Sequence, residues 1–290
     1  MEKLKNSELI INADGSIYHL KLRPEDIADT IIVVGDQHRV EIVSQFFDTV
    51  EVKKHNREFI THTGTYKKKK LTVLSTGIGT DNLDIVINEL DAITNIDLDA
   101  RIPKVDFKQL NIIRLGTSGA LQHDIPVDSF LMSEYAIGFD GLLHYYADAP
   151  KVLNEDIAEA FMKHTGWKPR MPRPYVVKGS QELADRLGEG LFTGITATAS
   201  GFYAPQGRSL RLAVNMPGLN DTMETFSWNG KRITNFEMET SALYGLCNML
   251  GHNACTICTI IANRVSKQFS KDYHPAVEKM IRMTLDRLVK

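Results

Sequence analysis

The sequence predicts an α/β fold: a single domain over residues 1–290, with a mixed central β-sheet flanked by helices. Three observations lead there. Short apolar, β-branched runs alternate with helix-like segments from one end of the chain to the other. Several of those runs stop at a glycine turn, a common place for ligand loops in α/β folds. No internal repeat, low-complexity tract or Pro/Gly/Ser linker divides the chain.

Ile31-Ile32-Val33-Val34 is an unbroken branched run that ends at Gly35, so Ile31 to Gly35 reads as a strand buried on both faces. Strands are expected next at Arg57 to Gly64 and Leu71 to Thr76, and the like-charge run Lys67 to Lys70 between them reads as a solvated hairpin turn. Leu83, Val86, Ile87, Leu90 and Ile93 recur at helical spacing. The stretch Asn95 to Lys108 is polar and irregular, and reads as a surface insertion. Asn111 to Leu115 and Asp128 to Ile137 are the next strands, and Ile157 with Phe161 marks a helix over Asn154 to His164. Tyr175 to Gly179, Gly194 to Ala199, Arg232 to Phe236 and Ala254 to Ala262 complete the strands. A C-terminal helix is expected over Pro275 to Leu288, which carries Val277, Met280, Ile281, Met283, Leu285 and Leu288.

A chain of 290 residues with 43% hydrophobic and 24% charged content is ordinary for a soluble globular protein. Its formal net charge of −2 supplies no basic field to hold DNA or RNA, so nucleic acid is not an expected partner. The start, Met1 to Glu8, lacks the apolar core of a signal peptide, and no stretch reaches the roughly 18 apolar residues of a membrane span. A cytoplasmic protein is expected. Cys247, Cys255 and Cys258 fit a reducing compartment. The C-x-x-C pair lies in a buried strand, where a spacing of three sends the thiols to opposite faces, so core packing is expected rather than a metal.

The run Gly201-Phe202-Tyr203-Ala204-Pro205-Gln206-Gly207-Arg208 sets an amide and a guanidinium two residues apart behind a pair of aromatics. In an extended or loop backbone, such side chains project together, so both can converge on one heterocycle while Phe202 or Tyr203 covers its face. The Gln206 amide holds an acceptor beside donors, which matches the N–H beside a carbonyl on uracil better than a purine edge. A solvated surface loop would also fit this stretch taken alone.

Arg39 follows Gly35 where a helix would begin, a place that suits phosphate. The dinucleotide fingerprint is absent; Ser75-Thr76-Gly77-Ile78-Gly79-Thr80-Asp81-Asn82 comes nearest, with Asn82 at the third glycine. Arg114 sits inside the apolar strand Ile112 to Leu115, and a charge there needs a partner. Two partners stay open: an oxyanion held with Thr117 and the Gly116 to Gly119 backbone, or an internal carboxylate. Glu237-Met238-Glu239 falls where a strand passes into a helix. One carboxylate there can be no more than a cap, and the other use is to accept hydrogen bonds from vicinal sugar hydroxyls, with Met238 against the ribose.

Gly35-Asp36-x-x-Arg39, Arg57-Glu58-Phe59, Ser75-Thr76-Gly77-Ile78-Gly79, Arg114-x-Gly116-Thr117-Ser118-Gly119, Phe202-Tyr203-x-x-Gln206-x-Arg208, Glu237-Met238-Glu239 and Asn263-Arg264 stand in the order and spacing of nucleoside phosphorylase family I. The chain resembles that family, in its uridine-cleaving branch, from about His19 to Arg264. The resemblance implies a pentosyltransferase for reversible phosphorolysis of uridine to uracil and ribose 1-phosphate, in pyrimidine salvage or catabolism. It implies phosphate held by Gly35, Arg39, Arg114 and Thr117, with Arg57 reaching in from a neighbouring subunit. Uracil would meet Phe202, Gln206 and Arg208, and ribose would meet Glu237, Met238 and Glu239, with His19 from the partner subunit. Catalysis would rest on Arg208, Gln206 and Arg114.

The same resemblance implies a homo-oligomer, at least a dimer, with phosphate as co-substrate and no cofactor. Some relatives hold a monovalent cation such as K+ at the dimer interface, for which Glu58 and Ser75 are the candidate ligands. Purine-cleaving members usually carry an aspartate after the late strand, where this chain has Asn263, and the flap segment Val265 to Ser270 lacks the expected proline. His38, His55, His62 and His123 are expected to be structural or solvated. The alternatives are a purine nucleoside phosphorylase, a nucleosidase of the same fold, and a non-catalytic nucleoside-binding sensor.

Overall fold

Thr30–Val34 (β1) is buried at every residue, with a parallel neighbour on each side, which is why its branched run shows no polar alternation. It opens a computed structural model that describes residues 3–290; Met1 and Glu2 of the N-terminal run lie outside the described residues. After β1 come α1 (Gln37–Ser44), the antiparallel meander β2 (Thr49–Asn56), β3 (Phe59–Tyr66) and β4 (Lys69–Ser75), and then α2 (Thr80–Asn95). A short pair, β5 (Ile96–Asp97) and β6 (Ile102–Pro103), leads to β7 (Asn111–Ala120) and β8 (Phe130–Gly138). Next are α3 (Glu155–Thr165), β9 (Tyr175–Lys178), α4 (Gln181–Leu187) and β10 (Phe192–Thr198). The chain ends with α5 (Leu219–Thr225), β11 (Ser227–Trp228), β12 (Lys231–Glu237), α6 (Thr240–Leu250), β13 (Asn253–Asn263), β14 (Gln268–Phe269) and α7 (His274–Leu288).

The main sheet runs β11-β12-β10-β8-β13-β7-β1-β4-β3-β2 and is mixed in direction, as the sequence predicts. It also curls. β12 pairs antiparallel with β7, Asn235 against Ala120 and Phe236 against Gly119, so β12, β10, β8, β13 and β7 form a closed ring of strands. Closure pairs backbone groups that an open edge would expose, and it carries the end of β12, with Glu237, toward the strand that bears Arg114. Helices cover both faces. Leu83, Val86 and Leu90 of α2 pack with Leu243 and Leu246 of α6, while Val40, Leu183, Val277 and Ile281 join α1, α4 and α7 in a separate apolar layer.

Two expectations change. Arg57 is not in a strand: with Glu58 it makes the turn between β2 and β3, at a φ of 53°. β2 itself has a faint sequence signal because its partly buried Val50 and Val52 alternate with exposed Glu51 and Lys53, as suits an edge strand. The stretch Asn95 to Lys108 is ordered rather than irregular, for it contains the β5 and β6 pair. Asn95 ties it down by donating to the Lys108 carbonyl at 3.2 Å and accepting the Lys108 N–H at 2.8 Å. The expected hairpin turn is present but shorter: Lys67 and Lys68 make it, both at positive φ, while Lys69 and Lys70 already pair with β3 as the start of β4.

Cys255 packs in the layer of α4 and α7, whereas Cys258 Sγ lies 3.4 Å from Arg114 Nη1, so the two thiols do face opposite ways. Burial pushes them up to about 12 and about 11, which keeps both protonated near neutral pH. Among the described residues no group of three or more His, Cys, Asp and Glu could hold a metal ion, and no helix is long and apolar enough to cross a membrane.

His62 is buried on β3, and its Nδ1 meets Ser44 Oγ of α1 at 2.8 Å. Burial, then Lys53, lowers its pKa below the ordinary 6.5, against a smaller opposing effect of Glu41. The unfolded chain therefore takes up a proton first as pH falls, and the stability present above pH 6.5 is lost toward the lower folded value. Urea unfolding midpoints should drop on acidification from pH 7, and His62→Asn should flatten that part of the profile. An unchanged slope in the variant would contradict this.

Candidate active site

Arg114 leaves β7 on the same side as Gly116, two residues along, and folds back over it. Any Cβ at residue 116 would run into the guanidinium, so glycine there is what lets the arginine lie flat against its own strand. Nη2 pairs with Glu239 Oε2, and Nη1 lies 3.2 Å from Glu237 Oε2. Internal carboxylates are thus the partners of the buried charge. Burial opposes the Arg114 charge, but Glu239 and Glu237 outweigh it and raise its pKa. Burial raises the Glu239 pKa, and Arg114 offsets this only in part, because one cation serves two carboxylates.

The two acids differ in their freedom. Glu237 Oε1 accepts from Thr198 Oγ1 at 2.6 Å and from the Thr240 N–H at 3.1 Å. Its Oε2 accepts from the N–H groups of Glu239 and Thr240 at 2.9 and 3.0 Å. Glu237, two residues before the N-cap Glu239, therefore satisfies the first N–H groups of α6, with its oxygens committed inside the protein. Glu239 has one oxygen on Arg114 and the other on the Gly79 N–H at 2.8 Å. Gly79 precedes α2 at a φ of 101°, a backbone that only glycine adopts without strain, so this turn of the Ser75 to Gly79 run serves to place Glu239.

A second guanidinium approaches from α1. Asp36 caps that helix by accepting the His38 N–H, and Arg39 stands in its first turn. Arg39 reaches the Leu115 carbonyl at 3.4 Å, and among the described residues it makes no ion pair. Burial lowers its pKa and the nearby Arg114 charge lowers it further, the signature of a cation short of a counter-ion.

The aromatic-amide-guanidinium run does not converge through an extended backbone. Ala204–Gln206 forms a 3₁₀ turn and Gly207 follows in the left-handed region at φ 72°, which swings Arg208 back onto its own loop. Arg208 Nη1 donates to Gln206 Oε1 at 2.6 Å and to the Phe202 carbonyl at 2.7 Å, and its guanidinium stacks 3.8 Å above the Phe202 ring. Burial lowers the Arg208 pKa, and Arg264 lowers it further by repulsion. Arg264 in turn donates to the Gln206 carbonyl at 3.0 Å.

One cavity of about 680 Å³ takes in both clusters. Gly35, Arg39, Arg114, Thr117, Phe202, Gln206, Arg208, Glu237, Met238 and Glu239 all line it. Tyr203 does not, so Phe202 is the aromatic the cavity uses. Arg57 and His19 are also absent from the wall and share another patch. His19 Nδ1 lies 2.6 Å from Glu89, Asn56 donates to the His19 carbonyl at 2.7 Å, and the Arg57 guanidinium sits 5.8 Å from the centre of the Tyr18 ring.

Glu58 lines the cavity, but the Ser75 hydroxyl is enclosed, donating to the Glu58 carbonyl at 2.6 Å and accepting the Ile60 N–H at 2.7 Å. Asn263 is likewise committed to structure: Nδ2 donates to the Gln122 and Ile125 carbonyls at 2.9 and 2.8 Å, and Oδ1 accepts from Val265 and Ser266. The expected flap segment contains β14, whose Phe269 lines the cavity while 65% exposed. Phe269 on the cavity wall and Arg264 behind the Gln206 loop join the residues expected from sequence; a lone aromatic in a polar segment is the signal that marks Phe269.

The profile of the phosphorylase superfamily matches residues 29–290. A uridine phosphorylase from Thermococcus kodakarensis is 32% identical over 279 residues, covering 93% of this chain and 86% of the relative. A purine nucleoside phosphorylase from Clostridium perfringens is 26% identical over 275 residues, covering 93% and 98%. Among solved structures, a Trypanosoma brucei nucleoside phosphorylase described as showing uridine phosphorylase activity superposes with a TM-score of 0.88 at 32% identity, covering 97% of this chain and 99% of that one. With the expected mixed sheet and the motif residues gathered round one cavity, the chain belongs to the phosphorylase superfamily, in the nucleoside phosphorylase family its sequence resembles.

Proposed function

We propose that this protein is a uridine phosphorylase, which converts uridine and phosphate to uracil and ribose 1-phosphate and runs in both directions. One observation carries the reading: Arg39, which makes no ion pair among the described residues, and the pyrimidine-matching pair Gln206 and Arg208 open on a single cavity, with Glu239 also on its wall. Phosphate would lie at Gly35, Arg39, Arg114 and Thr117, close enough to attack C1′ of the sugar. A phosphate oxygen forms the new bond to C1′ with inversion while the C1′–N1 pair of electrons leaves on uracil. Glu239 and Met238 would hold the ribose hydroxyls, and Glu237 would support them from below.

The departing uracil carries negative charge onto its carbonyls, where Arg208 and Gln206 would donate. Losing one such donor typically costs about 3–4 kcal/mol of transition-state stabilisation. Arg264, through the Gln206 carbonyl, would hold the loop that presents both groups. The shared patch of His19 and Arg57 supports a dimer in which each chain lends both residues to the other's cavity. Three free, buried cysteines support a cytoplasmic setting.

Uridine, deoxyuridine, thymidine and inosine incubated with and without phosphate test the proposal by base release. Uracil release that needs phosphate is expected. Release without phosphate would mean a nucleosidase, preference for inosine a purine enzyme, and binding without release a sensor. Arg39→Ala should raise the phosphate KM by roughly tenfold or more, the loss of one charge-assisted contact. An unchanged phosphate KM would remove Arg39 from that role.

A further inference from the structure

Arg114 owes its direction to two carboxylates, and one of those carboxylates owes its own direction to a hydroxyl outside the cavity. Among the described residues the guanidinium has no hydrogen-bond partner at its buried Nε, and Glu237, Glu239 and a weak contact to Cys258 orient it. Glu239 answers to the Gly79 turn. Glu237 answers to the backbone N–H groups of Glu239 and Thr240 and, besides Arg114 itself, to the side chain of Thr198 on the adjacent strand β10. Thr198 stands in register with Glu237 and is fully buried. Its hydroxyl donates to Glu237 Oε1 at 2.6 Å while accepting the Ser241 N–H at 3.0 Å. Ser241 Oγ, in turn, meets Tyr175 OH at 2.9 Å, so the hydroxyl belongs to a packed polar chain with little room to rotate.

We propose that Thr198 is a positioning residue for the reaction: its hydroxyl sets the Glu237 carboxylate, and through it the aim of Arg114. The inference rests on the phosphorolysis reading above. Without the hydroxyl, Glu237 Oε1 keeps the Thr240 N–H at a longer 3.1 Å and Oε2 keeps the N–H groups of Glu239 and Thr240, so the carboxylate stays anchored on its backbone side and tilts relative to Nη1. The Thr198 methyl makes no part of this argument, which separates the proposal from a packing role.

The test is steady-state phosphorolysis of uridine by Thr198→Val, Thr198→Ser, Glu237→Gln and the Thr198→Val/Glu237→Gln pair, each also followed by thermal unfolding. Thr198→Val should lower kcat by about tenfold to a hundredfold, the equivalent of one hydrogen bond to a charged group. Thr198→Ser should return to within about threefold of wild type, and Thr198→Val should add less than about twofold on top of Glu237→Gln. A Val variant within about twofold of wild type would overturn the proposal, as would a Ser variant as slow as Val or effects that simply multiply in the pair. Should Thr198→Val not fold, Thr198→Ala takes its place with the same outcomes. A wild type that releases no uracil with phosphate would remove the phosphorolysis reading instead, whereas an active wild type with an unimpaired Val variant removes only this one.

Discussion

Arg208→Ala should lower kcat/KM for uridine by roughly two to three orders of magnitude. In the proposed reaction the guanidinium does two things, and the variant loses both. It donates toward the uracil carbonyl as charge develops there, and it holds Gln206 Oε1 at 2.6 Å, which keeps the amide from turning its donors and acceptor the wrong way round. Its place is well determined: a backbone carbonyl at 2.7 Å, the amide oxygen and the Phe202 ring fix it on three sides without any acid to neutralise it. An uncompensated cation near a growing anion is the arrangement that helps most in the transition state. Arg208→Lys should recover little, since an ammonium neither stacks as a plane on Phe202 nor offers a rigid fork. Activity of the alanine variant within a few-fold of wild type would take Arg208 out of the site.

Arg114→Leu should destabilise the fold by about 3–5 kcal/mol, because it leaves the Glu237 and Glu239 carboxylates buried together without their cation. The pH dependence gives the effect a signature. Burial already raises the Glu239 pKa above its ordinary 4.5, and losing Arg114 raises it further. The folded variant then binds a proton that the unfolded chain does not, so its stability is greatest below the unfolded pKa and is lost as pH rises through the folded one. Urea midpoints should therefore show a larger deficit at about pH 8 than at about pH 5. A deficit equal at both values would mean that the two carboxylates do not depend on Arg114.

Much of this molecule was legible before its structure. β1, α2, α7 and the late strand β13 announce themselves by apolar runs or helical spacing, because burial on both faces or on one stripe leaves a strong periodic record. β2 and β14 leave little, since an exposed edge asks for few apolar residues. The site followed a similar division. Many of the residues that line the cavity, Arg39, Arg114, Gln206 and Arg208 among them, could be named from their chemical type and their place beside glycine turns, whereas Phe269 could not. Asn263 could be placed after a strand but not given its partners, because an amide there looks the same in sequence whether it faces a ligand or four backbone groups.

The amino-acid order alone picked out most of the polar side chains that the fold gathers round one cavity, an α/β sheet to mount them on, and the need of Arg114 for some partner. Which partner it takes was settled by β12 closing against β7, a contact between segments more than a hundred residues apart that leaves no periodic trace in either one. Long-range pairing is chosen by the fit of whole surfaces, whereas a sequence pattern records only what each segment buries by itself.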